Sequence, residues 1–388
     1  MESESKLRSY QVEPVDWLSK QKRGLLVAPA GSGKTRMALT ALSKAWDGDS
    51  RLLWLAHTRE QVAQAEAAMD DVCPSLGRYI TFSCYAGMPN SVEIEEYSIV
   101  VCDEAHHLAR TTWGDIIQDV EGTKIWFLTA TPWSGDEDGD RMMRSLVQNQ
   151  YQLSLDVVRE AGGLVETKVI WCGPHEPNVI LQKKVDKEVE YRTEKVIRWN
   201  KRISHATAKQ RAIWLVNHKD GVVENYARNK LVIENTRFTM HATPNPSVLV
   251  LVNHVAHAER LIELSGGLFD DCLVHGKTPL KLRREKLKDF VEGRRSLLLG
   301  TVSLFGEGFD APAMTHVVNA AGGKSPIAVV QRAGRSSRTS ANKSCGYVID
   351  FQDKHLKTLS NHADERRKIY SSLGYSHYNY KHHEHQSS

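Results

Sequence analysis

Residues Ala28-Pro29-Ala30-Gly31-Ser32-Gly33-Lys34-Thr35 form a glycine-rich loop between an apolar run, Gly24 to Ala28, and a stretch with helical spacing. A strand–loop–helix unit puts such a loop to use: the glycines let the backbone curl until its N–H groups converge on an anion, and the helix N-terminus adds a favourable dipole. In that setting Gly31, Ser32, Gly33 and Lys34 cradle phosphates, Lys34 reaches the terminal ones, and Thr35 ligates Mg2+. Position 28 is Ala where the GxxxxGK[ST] pattern has Gly, a wording that fits the AxxGxGKT class.

A nucleotide loop alone does not separate a kinase from a transporter ATPase or a motor. The deciding element brings its first carboxylate 69 residues after Lys34, where Ile99-Val100-Val101-Cys102 runs into Asp103-Glu104-Ala105-His106. Adjacent carboxylates at the end of a buried strand are costly unless a metal or a substrate uses them. Asp103 is expected to hold the Mg2+ hydration shell, and Glu104 to orient and deprotonate an attacking water.

Short, continuous apolar runs punctuate the first ~135 residues: Gly24–Ala28, Leu52–Ala56, Ile80–Tyr85, Ile99–Cys102 and Ile125–Leu128. A second series follows at Val248–Val252, Cys272–Val274, Leu297–Leu299, His316–Asn319 and Tyr347–Ile349. Runs without alternation are what strands buried on both faces require, so two α/β domains with mostly parallel sheets are predicted. The expected layout is a first domain over 1–150, a helical connector over 151–240, a second domain over 241–370 and a polar, His-rich tail over 371–388. In the connector, Val185, Val189, Val196, Trp199 and Ile203 share one helix face, with Lys183, Lys187, Lys195 and Lys201 off it. The stretch from Ser376 reads as disordered and solvated, or as an adventitious metal binder.

Charge is unevenly placed. Residues 1–150 carry 15 Lys and Arg against 22 Asp and Glu, a balance of −7, while 151–388 carry 36 against 25, a balance of +11. Either the second part meets an anionic partner or the excess is solvated surface charge. The six cysteines show no CxxC spacing, so no zinc or iron–sulfur site is encoded, and buried reduced thiols are expected. No apolar run is long enough to span a bilayer and the N-terminus lacks the makings of a signal peptide, so a soluble, cytoplasmic protein without a membrane partner is expected.

These elements resemble superfamily 2 helicases and translocases of the DEAH-box kind, most like the compact phage and bacterial DNA translocases of the UvsW and RadD type. Leu7-Arg8-Ser9-Tyr10-Gln11 is similar to the family's element upstream of the loop, which implies that Gln11 reads adenine. His57-Thr58-Arg59-Glu60 is similar to motif Ia, a nucleic-acid contact, and Thr129-Ala130-Thr131-Pro132 to motif III, which with His106 couples hydrolysis to domain movement. Further on, Asn253 sits where motif IV does, His275-Gly276 resembles a strand contact, and Thr301 with Gly306-Glu307-Gly308-Phe309-Asp310 resembles motif V, with Gly308 and Asp310 facing nucleotide. Gln331-Arg332-Ala333-Gly334-Arg335-Ser336-Ser337-Arg338 matches motif VI.

The resemblance implies two RecA-like domains, ATP and Mg2+ as ligands, and a monomer acting on DNA in replication, recombination or repair, with RNA as the alternative substrate. It names Lys34, Asp103, Glu104, Gln331, Arg335 and Arg338 as the catalytic set. Arg335 and Arg338, three apart, share a face if helical, and a guanidinium at the γ-phosphate offsets charge that grows in the transition state. Arg192, Arg198, Lys201 and Arg202 on the connector, and the run Arg283–Lys288, read either as phosphate contacts or as solvated helix faces. A gated ATPase that closes on a duplex without unwinding it would share every motif.

Overall fold

A computed structural model describes residues 7–88, 93–110, 112–131, 137–173, 176–200, 203–305, 311–325, 329, 334, 336–340 and 343–380. Chain contacts divide it into two compact units, the first running to Val165 and taking back the described residues of 326–339, the second holding most of the remainder.

The first unit is built on a six-stranded, all-parallel sheet in the order β3-β2-β4-β5-β1-β6. Its strands are β1 (Arg23–Val27), β2 (Arg51–Ala56), β3 (Ile80–Cys84), β4 (Tyr97–Cys102), β5 (Lys124–Thr129) and β6 (Asn149–Gln152). Helices cover the sheet, which is why the predicted apolar runs are continuous: Leu52, Trp54, Val101 and Trp126 pack into one core layer, and Leu25, Leu53, Val100 and Phe127 into the other. Burial on this scale yields roughly 25 cal/mol per Å² of apolar surface. Three helices bear on the site: α1 (Ser9–Ser19), α2 (Lys34–Ala45) and α3 (Arg59–Val72).

The second unit carries a seven-stranded, all-parallel sheet in the order β13-β7-β12-β11-β8-β10-β9. Its strands are β7 (Glu166–Cys172), β8 (Val248–Val252), β9 (Leu273–Val274), β10 (Leu297–Thr301), β11 (His316–Val318), β12 (Cys345–Phe351) and β13 (Ser376–Asn379). The two-sheet α/β reading therefore holds, but its boundaries move. β7 lies inside the stretch expected to be connector, and the helices Val179–Trp199, His205–His218 and Tyr226–Ala242 belong to the second unit. Val185, Val189, Ala212, Val216 and Val222 close a core with Leu356 and Leu359.

Two further expectations are corrected. Trp199, placed on the buried face of its helix, is 86% exposed at the helix end; the seam runs instead through Val185, Val189 and Thr193. The polar stretch from Ser376 is an edge strand on β7, held by main-chain pairing that needs no apolar side chain. Residues 381–388 of the expected tail lie outside the described residues.

The interior of the second unit also holds a charged network. Arg366 bonds the Asp350 carboxylate and the Phe351 and Gly323 carbonyls, while Arg228 bonds Asp353 and the Ala320 carbonyl. Asn319 and the Tyr370 hydroxyl complete Asp350. The four charged side chains are at most 1% exposed, and buried charges are tolerated only when paired and hydrogen-bonded in this way.

Candidate nucleotide site and strand-end residues

In the first unit the glycine-rich loop after β1, the turn after β2, the acidic pair after β4 and Thr129 at the end of β5 fall at the carboxyl edge of the sheet, where open parallel sheets bind ligands. Strand register fixes the row. Val27 pairs with Thr129, Cys102 with Phe127, and Leu55 with Cys102. The chain leaving β1 is held by Ala28 N–H donating to the Thr129 carbonyl at 3.0 Å, and the chain leaving β4 by Asp103 N–H donating to Leu55 at 2.8 Å.

The loop after β1 has the curl expected of it. Gly31 and Gly33 have φ of 85° and 87°, the left-handed region that glycine enters without steric cost. A side chain on Gly33 would have to displace the Gln11 amide, because its Cβ would stand 2.5 Å from Gln11 Nε2. Gln11 is itself buried and donates from Nε2 to the Ser32 carbonyl at 2.8 Å, while its Oε1 accepts from Arg8 N–H at 2.9 Å. The Tyr10 hydroxyl reaches the same Ser32 carbonyl at 3.1 Å. Gln11, expected to read adenine, thus braces the loop from α1. Lys34 Nζ lies 3.3 Å from the Ala28 carbonyl, folded across the loop it follows.

After β4, Asp103 is buried and its Oδ1 accepts Glu104 N–H at 2.9 Å. The fully buried Tyr85 hydroxyl donates to the Asp103 carbonyl at 2.8 Å, and burial raises its pKa well above the usual tyrosine range, so it stays a donor. Glu104 has φ of 47°, a left-handed conformation costing a non-glycine residue roughly 1–2 kcal/mol, and such strain gathers at functional sites. His106 Nδ1 stands 3.5 Å from Glu104 Oε2 and 3.0 Å from Thr129 Oγ1. Thr129 Oγ1 in turn accepts Thr131 N–H at 3.1 Å. His106, Thr129 and Thr131 are therefore one hydrogen-bonded assembly, with the Glu104 carboxylate 3.5 Å from the His106 imidazole.

After β2, Thr58 caps α3 and Gln61 closes the capping box, its Oε1 accepting from both His57 N–H and Thr58 N–H. His57 and Arg59 are exposed at this turn. The ring of His57 stacks on His107, centroids 3.8 Å apart and planes within 6°. His107 was passed over in the sequence, where nothing distinguishes it from an ordinary residue beyond the acidic box.

Of the arginines expected at the site, Arg338 is described and Arg335 lies outside the described residues, as do Gly308, Asp310, Gln331, Pro132, Lys201 and Arg202. The segment carrying Arg338 packs on the first unit, although it was expected as part of the second domain. Val165 N–H donates to the Ser337 carbonyl at 2.8 Å, and the Arg338 side chain comes within 3.0 Å of where a Gly31 Cβ would stand. Burial pulls the pKa of the Arg338 guanidinium down to about 10, so the group remains charged at neutral pH at a desolvation cost.

In the second unit Asn253 and His275 follow β8 and β9, and Thr301 ends the strand between them, β10, again on the carboxyl edge. Asn253 Nδ2 donates to the Ala321 carbonyl at 2.9 Å, and Thr301 is buried. His275 N–H donates to Thr278 Oγ1 at 3.0 Å, with Gly276 exposed beside it. On the outer helices, Arg192 and Arg198 pair with Glu188 and Glu194, and Lys286 with Asp271.

Comparison with known proteins agrees with this geometry. The family model for the helicase conserved C-terminal domain matches residues 201–340, and that for the res subunit of type III restriction enzymes matches 4–83. The chain belongs to the superfamily 2 helicases. A protein of a Sulfolobus islandicus filamentous virus, provisionally named helicase 22, is 24% identical to this helicase-family chain, covering 90% of it and 64% of the relative. A Halobacterium salinarum protein provisionally named DNA 3'-5' helicase Rad25 is 27% identical, covering 95% of this chain and 57% of the relative. The helicase-family chain thus spans about 60% of these relatives' length. Among solved structures, a fragment of a provisionally assigned HsdR subunit of a Vibrio vulnificus type I restriction enzyme superposes with TM-score 0.63 at 20% identity, covering 95% of this chain and 67% of that one. The Pyrococcus furiosus Hef helicase domain superposes with TM-score 0.53 at 17% identity, covering 95% and 98%. At such identities the superpositions establish a shared fold.

Proposed function

We propose that the chain is a nucleic-acid-stimulated ATPase that translocates on DNA and opens or remodels branched structures. The observation that carries this reading is the row along one sheet edge in which the phosphate loop, the Asp103-Glu104 pair and the His106–Thr129 link are held together by strand register.

The residues present fit ATP. Ser32 Oγ is buried with no hydrogen-bond partner among the described residues, in a loop whose Gly33 lies left-handed against the Gln11 amide. A buried hydroxyl of that kind suits a phosphate oxygen. Lys34 would pair with the terminal phosphates. Glu104 would take a proton from water as it attacks the γ-phosphorus, and Arg338 would offset the charge that grows on the transferred group. Mg2+, when bound, would neutralise phosphate charge, with Thr35 and Asp103 as the residues to hold it.

His57, Thr58 and Arg59 in the first unit and Asn253, His275, Gly276 and Thr301 in the second are assigned to the nucleic-acid backbone. Binding through backbone contacts is largely independent of sequence and weakens steeply with salt. DNA is favoured over RNA because a relative covering 95% of this chain is named for DNA and the shared fold extends to a restriction-enzyme subunit. Turnover of ATP by the full chain, compared across single-stranded DNA, duplex, fork, Holliday junction, RNA and RNA–DNA hybrid, tests the proposal. Stimulation strongest with branched or single-stranded DNA is expected; stimulation by RNA alone would reassign the substrate, and none at all would overturn the reading.

A further inference from the structure

The stacked pair His57 and His107 joins two parts of the site that the motifs treat separately. His57 is exposed on the turn after β2, and its N–H is pinned by Gln61 Oε1 at 3.0 Å, so the residue is fixed to the start of α3. Its ring lies flat on His107, at 3.8 Å and 6°. His107 N–H donates to the Glu104 carbonyl at 3.0 Å, which puts it on the same backbone turn as the proposed general base. The His107 ring is also 4.2 Å from that of His106, which reaches both Glu104 and Thr129. A path of ring and hydrogen-bond contacts therefore runs from an exposed side chain at the proposed strand contact to His106, whose Nδ1 stands 3.5 Å from the carboxylate at the proposed hydrolysis centre.

We propose that His107 is a positioning residue that transmits occupancy of the nucleic-acid contact to Glu104. A backbone phosphate drawn to His57 shifts or steadies its ring; the flat stack passes that constraint to His107, and the shared turn and the His106 edge pass it to the Glu104 carboxylate. Stacking of flat faces, with no proton transfer, is the working interaction, so another flat ring should serve at position 107. The inference rests on the reading of the chain as a nucleic-acid-stimulated ATPase.

The experiment measures the ratio of ATP turnover with saturating single-stranded oligo-dT to turnover without it, for the full-length wild-type chain, His107→Ala, His107→Phe, His57→Ala and the double variant His57→Ala/His107→Ala. A stacked aromatic pair corresponds to roughly a two- to tenfold effect. The ratio is expected to fall by that factor in His107→Ala, to recover at least half of its loss in His107→Phe, and to fall no further in the double variant than in His57→Ala, because coupled residues are not additive. A stimulated wild type with an unchanged ratio in His107→Ala overturns the link and leaves the functional reading intact. Equal losses in His107→Ala and His107→Phe, or fully additive losses in the double variant, overturn it as well. A wild-type chain that neither oligo-dT nor any other nucleic acid stimulates overturns the functional reading, and the link with it.

Discussion

His106 Nδ1 lies 3.0 Å from Thr129 Oγ1, joining the residue two beyond Glu104 to the last residue of β5. The same hydroxyl accepts Thr131 N–H, so one buried oxygen holds the turn after β4 against the turn after β5. Thr129→Val keeps the shape and removes the oxygen. Buried donors left without partners cost about 1–3 kcal/mol. We expect a destabilisation of that size on urea unfolding, retained ATP binding, and loss of strand displacement per ATP hydrolysed, measured on one preparation.

Gly33→Ala tests the brace between α1 and the loop. The residue has φ of 87°, and its new Cβ would stand 2.5 Å from Gln11 Nε2. Left-handed strain alone costs roughly 1–2 kcal/mol, and displacing a buried amide adds to it. ATP affinity should fall at least tenfold. Gly48→Ala, where φ is 98° with nothing within 4 Å of the added carbon, should carry the strain cost and leave ATP affinity unchanged in equilibrium binding.

Acid should weaken the second unit before it affects the carboxylates. Burial pushes the pKa of His218 and of His316 down to about 4. Their unfolded forms take up protons near 6.5, so the unfolded chain binds more protons between about pH 6.5 and 4 and stability falls as pH falls through that window. Each histidine should contribute on the order of 1–2 kcal/mol of loss at pH 5 relative to pH 7.5. His316→Asn should flatten the dependence seen in denaturant midpoints.

Arg366→Met should be among the most damaging changes to the second unit. It leaves the Asp350 carboxylate buried with Asn319 and Tyr370 as donors but without its counter-charge. Removing one partner of a buried pair costs about 3–5 kcal/mol. Asp353 reinforces the point: burial alone would raise its carboxyl, yet Arg228 and Arg366 bring it below the usual range. The urea midpoint of the second unit should drop accordingly.

The central strands and the phosphate loop were legible because fully buried parallel strands leave continuous apolar runs, as in Leu52–Ala56 and Val248–Val252, and because glycines mark the curl between β1 and α2. β7 was missed because its partners β12 and β13 are more than 170 residues away and its buried Thr167, Val169 and Trp171 alternate with Lys168 and Ile170. β13, Ser-His-Tyr-Asn, has no apolar run to betray it. Trp199 was misplaced because helical spacing assigns a face without saying where the neighbouring helix stops. At the site, motif order located Lys34, Glu104, His106 and Thr129, but neither the brace by Gln11 nor the His57–His107 stack is encoded by spacing; both depend on turns meeting across the sheet edge.

The most direct test of the account is steady-state ATP turnover by Glu104→Gln with saturating single-stranded DNA, read beside its equilibrium affinity for ATP and beside Lys34→Ala. The substitution keeps the size of the side chain and removes the base, so affinity within threefold of wild type and turnover reduced at least a hundredfold, on the order expected for a lost general base, are predicted. Lys34→Ala should lose turnover as well. Wild-type turnover in purified Glu104→Gln would contradict the assignment of this sheet edge as the hydrolysis centre.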